Sequence, residues 1–241
     1  MQQSQRSFRR ALDKIRLNMS GTSPARLLAA YGGIAFLVYL ETSAFSRMSP
    51  ILSSLPLISL ALFTVLSPMQ PAPKIFTASS FISAAVAIYL QTSAWSPLSF
   101  AALFVIGRNV LYVISFLDLI RQWSAPIGIM SGLYLVLFSF ICFADLLFSI
   151  PTLVCCLFLE VVSAVFLVLA SGSLAQSGST EDNFNSQASL VRLLGAVLET
   201  ASVSMFIYSA FARRTEATLF LYRLTEYLAH GLLFLANEME F

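Results

Sequence analysis

Residues 126–170 read PIGIMSGLYLVLFSFICFADLLFSIPTLVCCLFLEVVSAVFLVLA, 45 positions in which Asp145 and Glu160 are the only charged side chains. A hydrocarbon core about 30 Å thick is crossed by about 20 apolar residues in a helix. One 45-residue span is therefore excluded by thickness. Two helices joined tightly between Asp145 and Pro151 fit the same stretch, because proline opens a helix far better than it continues one. Outward from this pair the same texture recurs, with apolar runs at 27–45, 51–66, 75–92, 98–120, 127–144, 153–170, 190–211 and 217–236. The breaks carry Arg47 with Pro50, Pro68 to Pro73, Trp95 with Pro97, Arg121 to Pro126, the polar stretch 171–189, and Arg213 with Arg214. The expected fold is an all-α polytopic integral membrane bundle of about eight transmembrane helices. The second run is short, or kinked at Pro56.

Composition agrees. The 241 residues are 58% hydrophobic and 11% charged, where soluble domains run about 25% charged, and the mean hydropathy is +0.81. So few charges cannot solvate the surface of a 26.4 kDa globule, which excludes a soluble enzyme. Ten Gly and nine Pro beside 21 Phe exclude collagen-like and disordered classes. A formal charge of +2 without an extended basic patch argues against a nucleic-acid partner. Cys142, Cys155 and Cys156 all lie in apolar runs and read as small core residues rather than disulfides or ligands.

The expected organisation is a basic cytoplasmic tail at 1–26, the eight-helix domain at 27–236 and a short C-terminal tail at 237–241. Within the first tail Phe8, Leu12, Ile15 and Met19 recur at helical spacing, which suits either a helix on an anionic membrane surface or a disordered basic segment. No signal-peptide pattern precedes the first run, so that run is expected to act as an uncleaved anchor. Eight Lys and Arg fall in the tail and loops on the N-terminal side (Arg6, Arg9, Arg10, Lys14, Arg16, Arg26, Lys74 and Arg121), against Arg47, Arg213 and Arg214 on the other. The positive-inside rule then places both ends in the cytoplasm, and the features together favour the endoplasmic reticulum membrane over the plasma membrane.

Ionisable groups inside the runs are costly unless they face a partner or a cavity. Glu41 and Asp118 sit near span ends, where they reach the headgroups. Arg223, Glu226 and His230, the only histidine, stand at i, i+3 and i+7, so they stack on one face of the last helix. That face cannot point at lipid. It reads either as polar glue between helices or as a site in which a carboxyl and an imidazole share acid and base roles. Arg108, Asn109 and Tyr112 form a second knot in the fourth run, and Glu199 and Glu160 are candidate partners for Arg108 or Arg223. Ser202 and Ser204 lack the setting of an activated nucleophile. No phosphate loop, H-E-x-x-H or Cys/His cluster appears, so no metal or cofactor is expected.

Several segments resemble the YhhN or lysoplasmalogenase-like membrane proteins across residues 25–239. They are Ser54-Leu55-Pro56-Leu57, the small-residue stretch 81–90, Asn109-Val110-Leu111-Tyr112 with Phe116, Ala201-Ser202-Val203, and Tyr227-Leu228-Ala229-His230. The resemblance implies eight spans and hydrolysis of the vinyl ether of lysoplasmalogens, with membrane lipids and a lysophospholipid as partners. The family's aspartates would fall at Val86 and Val203, its fourth-helix histidine at Asn109 and its second-helix lysine near Ser53. Valine moves no proton. The chain therefore reads either as a lipid-binding relative without activity or as a hydrolase whose acids have moved to Glu226, His230 and Glu199. In the latter, Arg223, Tyr227, Arg108, Asn109 and Tyr112 hold the substrate. A small transporter or channel subunit, or a membrane scaffold, is the alternative from outside the family.

Overall fold

The computed structural model describes residues 24–45, 49–93, 96–177, 183–211 and 215–241, and these contain helices and no strand. Eight helices follow in order: α1 Pro24–Glu41, α2 Pro50–Leu66, α3 Pro71–Thr92, α4 Leu98–Phe116, α5 Ala125–Phe143, α6 Pro151–Ser177, α7 Asn183–Phe211 and α8 Glu216–Glu240. A 3-10 turn, Leu117–Leu119, trails α4. The 126–170 stretch divides as its sequence demands, into α5 and α6 across a turn at 144–150. Of the residues on which the orientation reading rests, Arg26, Lys74 and Arg121 are described, Arg26 within α1, whereas the other basic residues of the N-terminal tail, together with Arg47, Arg213 and Arg214, lie outside the described residues.

Proline sets most of the starts. α1, α2, α3 and α6 begin on it, α4 follows Pro97 and α5 carries Pro126 second. The first helical position needs no N–H, and the fixed φ of the ring suits it. The start of α8 instead uses a reciprocal cap, in which Thr218 N donates to Thr215 Oγ1 at 3.2 Å and Thr215 N to Thr218 Oγ1 at 3.2 Å. Pro56 sits inside α2 without ending it.

Five helices are long and apolar enough to cross a membrane: α3, α4 with its turn, α5, α6 and α7. Helix α2 is apolar but shorter. In α8, Arg223, Glu226 and His230 lower the hydropathy, yet α8 is the helix about which the others are arranged. It touches α1, α2, α3 and α7, while α4 packs between α3 and α6. By contrast α5, one of the more apolar helices, leans on α6 and α7 from outside and buries only Phe143. Hydropathy and centrality diverge because lipid accepts apolar surface, whereas charge must be enclosed by protein.

Three apolar clusters fill the bundle. One joins α1, α2, α3 and α8 through Leu57, Leu60, Phe81, Ile88 and Phe234. Another joins α3, α4, α6 and α7 through Ala87, Ala102, Val105, Val161 and Ile207. The third joins α4, α6, α7 and α8 through Tyr112, Phe116, Leu167, Ala196 and Leu233. After α1 the chain reverses through Ser43, Ala44 and Phe45 at φ 51°, 59° and 64°. Left-handed backbone costs about 1–2 kcal/mol per non-glycine residue. The offset comes from Thr42 Oγ1, which accepts from Phe45 N at 3.2 Å, and from the Phe45 ring against Tyr39, Phe220 and Tyr227.

Three expectations are corrected. Much of the polar-looking stretch 171–189 is helix rather than loop: α6 runs to Ser177, with Ser171, Gly172 and Ser173 small enough to be buried against the start of α5, and α7 starts at Asn183. Ser124 N donates to Ser173 Oγ at 3.0 Å there. Residues 237–240 are not a tail but the last turn of α8, with Asn237 wholly buried. Cys155 is exposed on the outside of α6 rather than in the core, while Cys142 and Cys156 are partly buried, and all three are free.

Close approach of α7 to α8 depends on Gly195, where an added Cβ would lie 3.0 Å from Leu233 Cγ and 3.2 Å from Ala229 O. At Gly132 on α5 nothing lies within 4 Å. Gly195→Val should lower the thermal midpoint in detergent, with a cost of about 1–3 kcal/mol from overpacking. Gly132→Val should leave the midpoint near that of the unmodified protein.

Candidate functional site

The buried charged, amide and imidazole side chains of this apolar chain gather at two depths along α8. The upper set lies nearer the end of the bundle where α3 and α7 finish and α4, α6 and α8 begin. Arg223 stands two turns into α8, about 10 Å from its start at 1.5 Å per residue. Its face, shared with Glu226 and His230, meets Arg108 of α4, Glu160 of α6 and Glu199 of α7, all buried.

Two ion pairs organise the set. Arg108 Nη2 donates to Glu199 Oε1, and Arg223 Nη1 donates to Glu226 Oε2 at 2.7 Å. Arg108 Nη1 also lies 3.9 Å from Glu226 Oε1, which links the pairs. The Arg223 guanidinium sits over the Tyr222 ring, 4.8 Å from its centroid. His230 Nδ1 is 2.7 Å from the backbone oxygen of Glu226, and Nε2 is 3.2 Å from Arg108 Nη1. A carbonyl only accepts and a guanidinium only donates. These contacts therefore assign the proton to Nδ1 and leave Nε2 as acceptor, so the imidazole is neutral. Its Nδ1 is 3.7 Å from Glu199 Oε2, beyond hydrogen-bond reach.

Asn109 braces the arginine. Its Oδ1 accepts from Arg108 Nε at 3.3 Å, and its Nδ2 donates to Ser163 Oγ at 3.0 Å. Gln91, Arg108, Glu160, Glu199, Val203 and Glu226 are among the residues lining a cavity of about 10 Å³, the lower limit for one water molecule. The ion pairs draw α4, α7 and α8 together and leave a polar cavity no larger than a water. Larger clefts exist but are apolar. One of about 460 Å³ lies between α5, α6 and α7. One of about 440 Å³ runs along α1 and α8 past Phe36, Tyr39, Phe220 and Tyr227.

The lower set contains Tyr112, expected beside Arg108 but turned away from it. Tyr112 Oη donates to Leu233 O at 2.7 Å and to Asn237 Oδ1 at 3.2 Å. Asn237 Oδ1 also accepts from Arg192 Nη2 at 2.8 Å, and its Nδ2 donates to Thr77 Oγ1 at 2.7 Å and Ser115 Oγ at 3.2 Å. Arg192 reaches Glu240 at 3.3 Å and stacks on Phe116, 4.5 Å from its centroid. One amide thereby joins α3, α4, α7 and α8.

Glu226, His230, Glu199, Arg223, Arg108 and Asn109 come together as one site, and the two knots expected in the fourth and last runs merge. Tyr227 stands aside, its Oη donating to Ser53 O at 2.6 Å while its backbone oxygen accepts from Tyr31 Oη at 2.7 Å. Glu41 and Asp118 are exposed at helix ends, as their positions suggested. Ser202 Oγ donates to Tyr222 O at 3.1 Å. The sequence reading gave Glu160 only a partner's role, and missed Arg192. Both are visible in the residue order as charges inside apolar runs, Arg192 close to the start of the run at 190–211. Among the described residues no group of three or more His, Cys, Asp and Glu side chains is placed to hold a metal ion.

Against known proteins, no family model matches the chain, and no characterised protein or solved structure matches it.

Replacing Arg108 with Met leaves Glu199 buried without its cation. The expected cost is about 3–5 kcal/mol, read as a lower thermal midpoint in detergent. The double variant, Arg108→Met with Glu199→Leu, should recover most of that loss. Equal losses in the single and double variants would show that the two side chains are not one coupled unit.

Proposed function

We propose that the protein is an eight-span integral membrane hydrolase of the lysoplasmalogenase type, with both ends on the cytoplasmic side of the endoplasmic reticulum membrane. The observation that supports this most is a buried acid–base set, Glu199, Glu226 and His230, held beside two guanidiniums; of these groups Glu199, Glu226 and Arg108 line a cavity of one water's size. Val203, which stands where the family has an aspartate, lines that cavity. The proton-moving groups thus lie against the position from which the family's own acid is missing.

Vinyl ether cleavage needs a proton delivered to the outer carbon of the double bond, and water added to the oxocarbenium ion that results. The adduct, a hemiacetal, then breaks its C–O bond to release fatty aldehyde and glycerophospho-alcohol. In this reading the ion pairs part as substrate enters: Arg223 turns its planar fork to the phosphate, Glu226, freed of its cation, takes up a proton from the cluster and delivers it to carbon, and Glu199 or His230 takes one from the water. Arg108 and Asn109 position Glu199. Tyr227 borders the apolar cleft along α1 and α8, which offers the alkenyl chain a path, and Tyr112 fixes α4 to α8 beneath the site. Substrate admission requires the ion pairs to part, since the closed cavity admits only water.

Purified protein in lipid nanodiscs should release aldehyde from lysoplasmalogen, and Glu226→Gln should slow release by about 100-fold or more, the usual scale for loss of a general acid. A folded preparation that releases none contradicts the proposal. For the spans, a cysteine-free background carrying Ser149→Cys should react with an impermeant thiol reagent from the lumenal side. Gln122→Cys should react from the cytoplasmic side only.

A second reading, a scaffold in which the charges only fix the bundle, is favoured by the lower network, where all four hydrogen-bond contacts of the Asn237 amide are within the protein. It predicts lower stability for Glu226→Gln and no turnover in the unmodified protein.

A further inference from the structure

Glu160 is the one carboxyl of the upper cluster that the ion pairs leave out. It is 1% exposed, and neither of its side-chain oxygens has a hydrogen-bond partner. Across the same small cavity, Glu199 Oε2 and Gln91 Oε1 are also buried and unpartnered. All of these atoms are acceptors. Buried polar atoms in native proteins are nearly always hydrogen-bonded, so four such atoms around one cavity call for a donor.

The charge count calls for the same thing. Arg108 answers Glu199, Arg223 answers Glu226, and the imidazole of His230 is neutral by the contacts of its two nitrogens. Around the cavity that Glu160 lines stand Arg108 from α4, Glu199 from α7, Tyr222 and Glu226 from α8 and the uncharged Gln91 from α3, with His230 against Arg108 and Glu199. Two cations therefore stand against three carboxyls. A third carboxylate buried here would lack a cation of its own and would stand beside two like charges, an arrangement that desolvation penalises heavily. One bound proton makes the set neutral and provides the missing donor. Among the described residues no three His, Cys, Asp or Glu side chains are placed to hold a metal ion in its place.

We infer that the cluster binds one exchangeable proton, carried by the carboxyl of Glu160 and in contact with the cavity water. Exchange is a balanced relay. The O–H bond of Glu160 breaks as its proton passes to the water, and the water passes one of its own protons to Glu199 Oε2. The inference needs only the ion-pair geometry, and it stands whether or not the protein hydrolyses lysoplasmalogens.

Infrared difference spectroscopy on the full chain in nanodiscs tests it, by exchange from H2O to D2O at neutral pH. A protonated-carboxyl C=O band, separate from the amide bands, should be present and should shift down on deuteration. It should vanish in Glu160→Gln and persist in Glu238→Gln, which lies near the far end of α8. Glu160→Leu, which places no polar group in the cavity, is expected to fold and to lose the band in the same way if the glutamine variant does not fold. Absence of the band from the unmodified protein overturns the inference, as does its survival in both Glu160 variants. A thermal midpoint that rises with sodium but not with choline, and loses that response in Glu160→Gln, would assign the site to a metal cation and also overturn it.

Discussion

Arg108 and Glu199 are both buried among apolar helices, and each is held there by the other. Removing an ion from water costs several kcal/mol even after relaxation, and a well-made pair about repays that cost. The pair therefore adds little net stability while excluding arrangements that would separate its members. Rotating α8 by one residue, about 100°, would carry Glu226 and His230 away from Arg108 and strand three polar groups in lipid. The register of α4, α7 and α8 follows from that penalty rather than from apolar packing, since an outer face of leucine and phenylalanine is as content in lipid as against a neighbour.

The same constraint explains why α8 is central while α5 is peripheral. Ridges of apolar side chains alone would not rank them that way. The Asn237 network adds a second fixed point, nearer the other end of α8, and two fixed points set both rotation and tilt. Between them run Ala229 and Leu233, over Gly195 of α7, where backbone and side chains approach closely. The cluster at one depth is thus left as a compact, low-dielectric compartment with room for a single water and a surplus of carboxyl groups, the physical setting in which proton transfer becomes a property of the fold.

Much of this was legible in the residue order. The apolar runs and their prolines give all eight helices and the division of 126–170, and the spacing of Arg223, Glu226 and His230 gives the buried face of α8. Helix ends were less legible. Ser171 to Ser177 look like a loop by composition, because small hydroxyl residues serve both loops and tight helix contacts, and only the proximity of Ile127 and Ser124 distinguishes the two. Asn237 reads as a tail residue until Tyr112, Arg192, Thr77 and Ser115 converge on it from three other helices. Pairing was not legible at all: Arg108 had two candidate carboxyls, Glu199 and Glu160, and the choice of Glu199 depends on which faces of α4 and α7 oppose each other. Glu160 was visible as a charge, but its isolation appears only when the ion pairs have been assigned.

The central claim is that these charges are enclosed together rather than distributed to lipid headgroups or a wide aqueous vestibule. A density map of the protein in lipid nanodiscs, at a resolution that shows ordered water, addresses it most directly. The account predicts continuous density joining Arg108 to Glu199 and Arg223 to Glu226, with one ordered water between the carboxyls of Glu160 and Glu199. A map in which Glu160 faces lipid, or in which a broad water-filled channel separates Arg108 from Glu199, would contradict it.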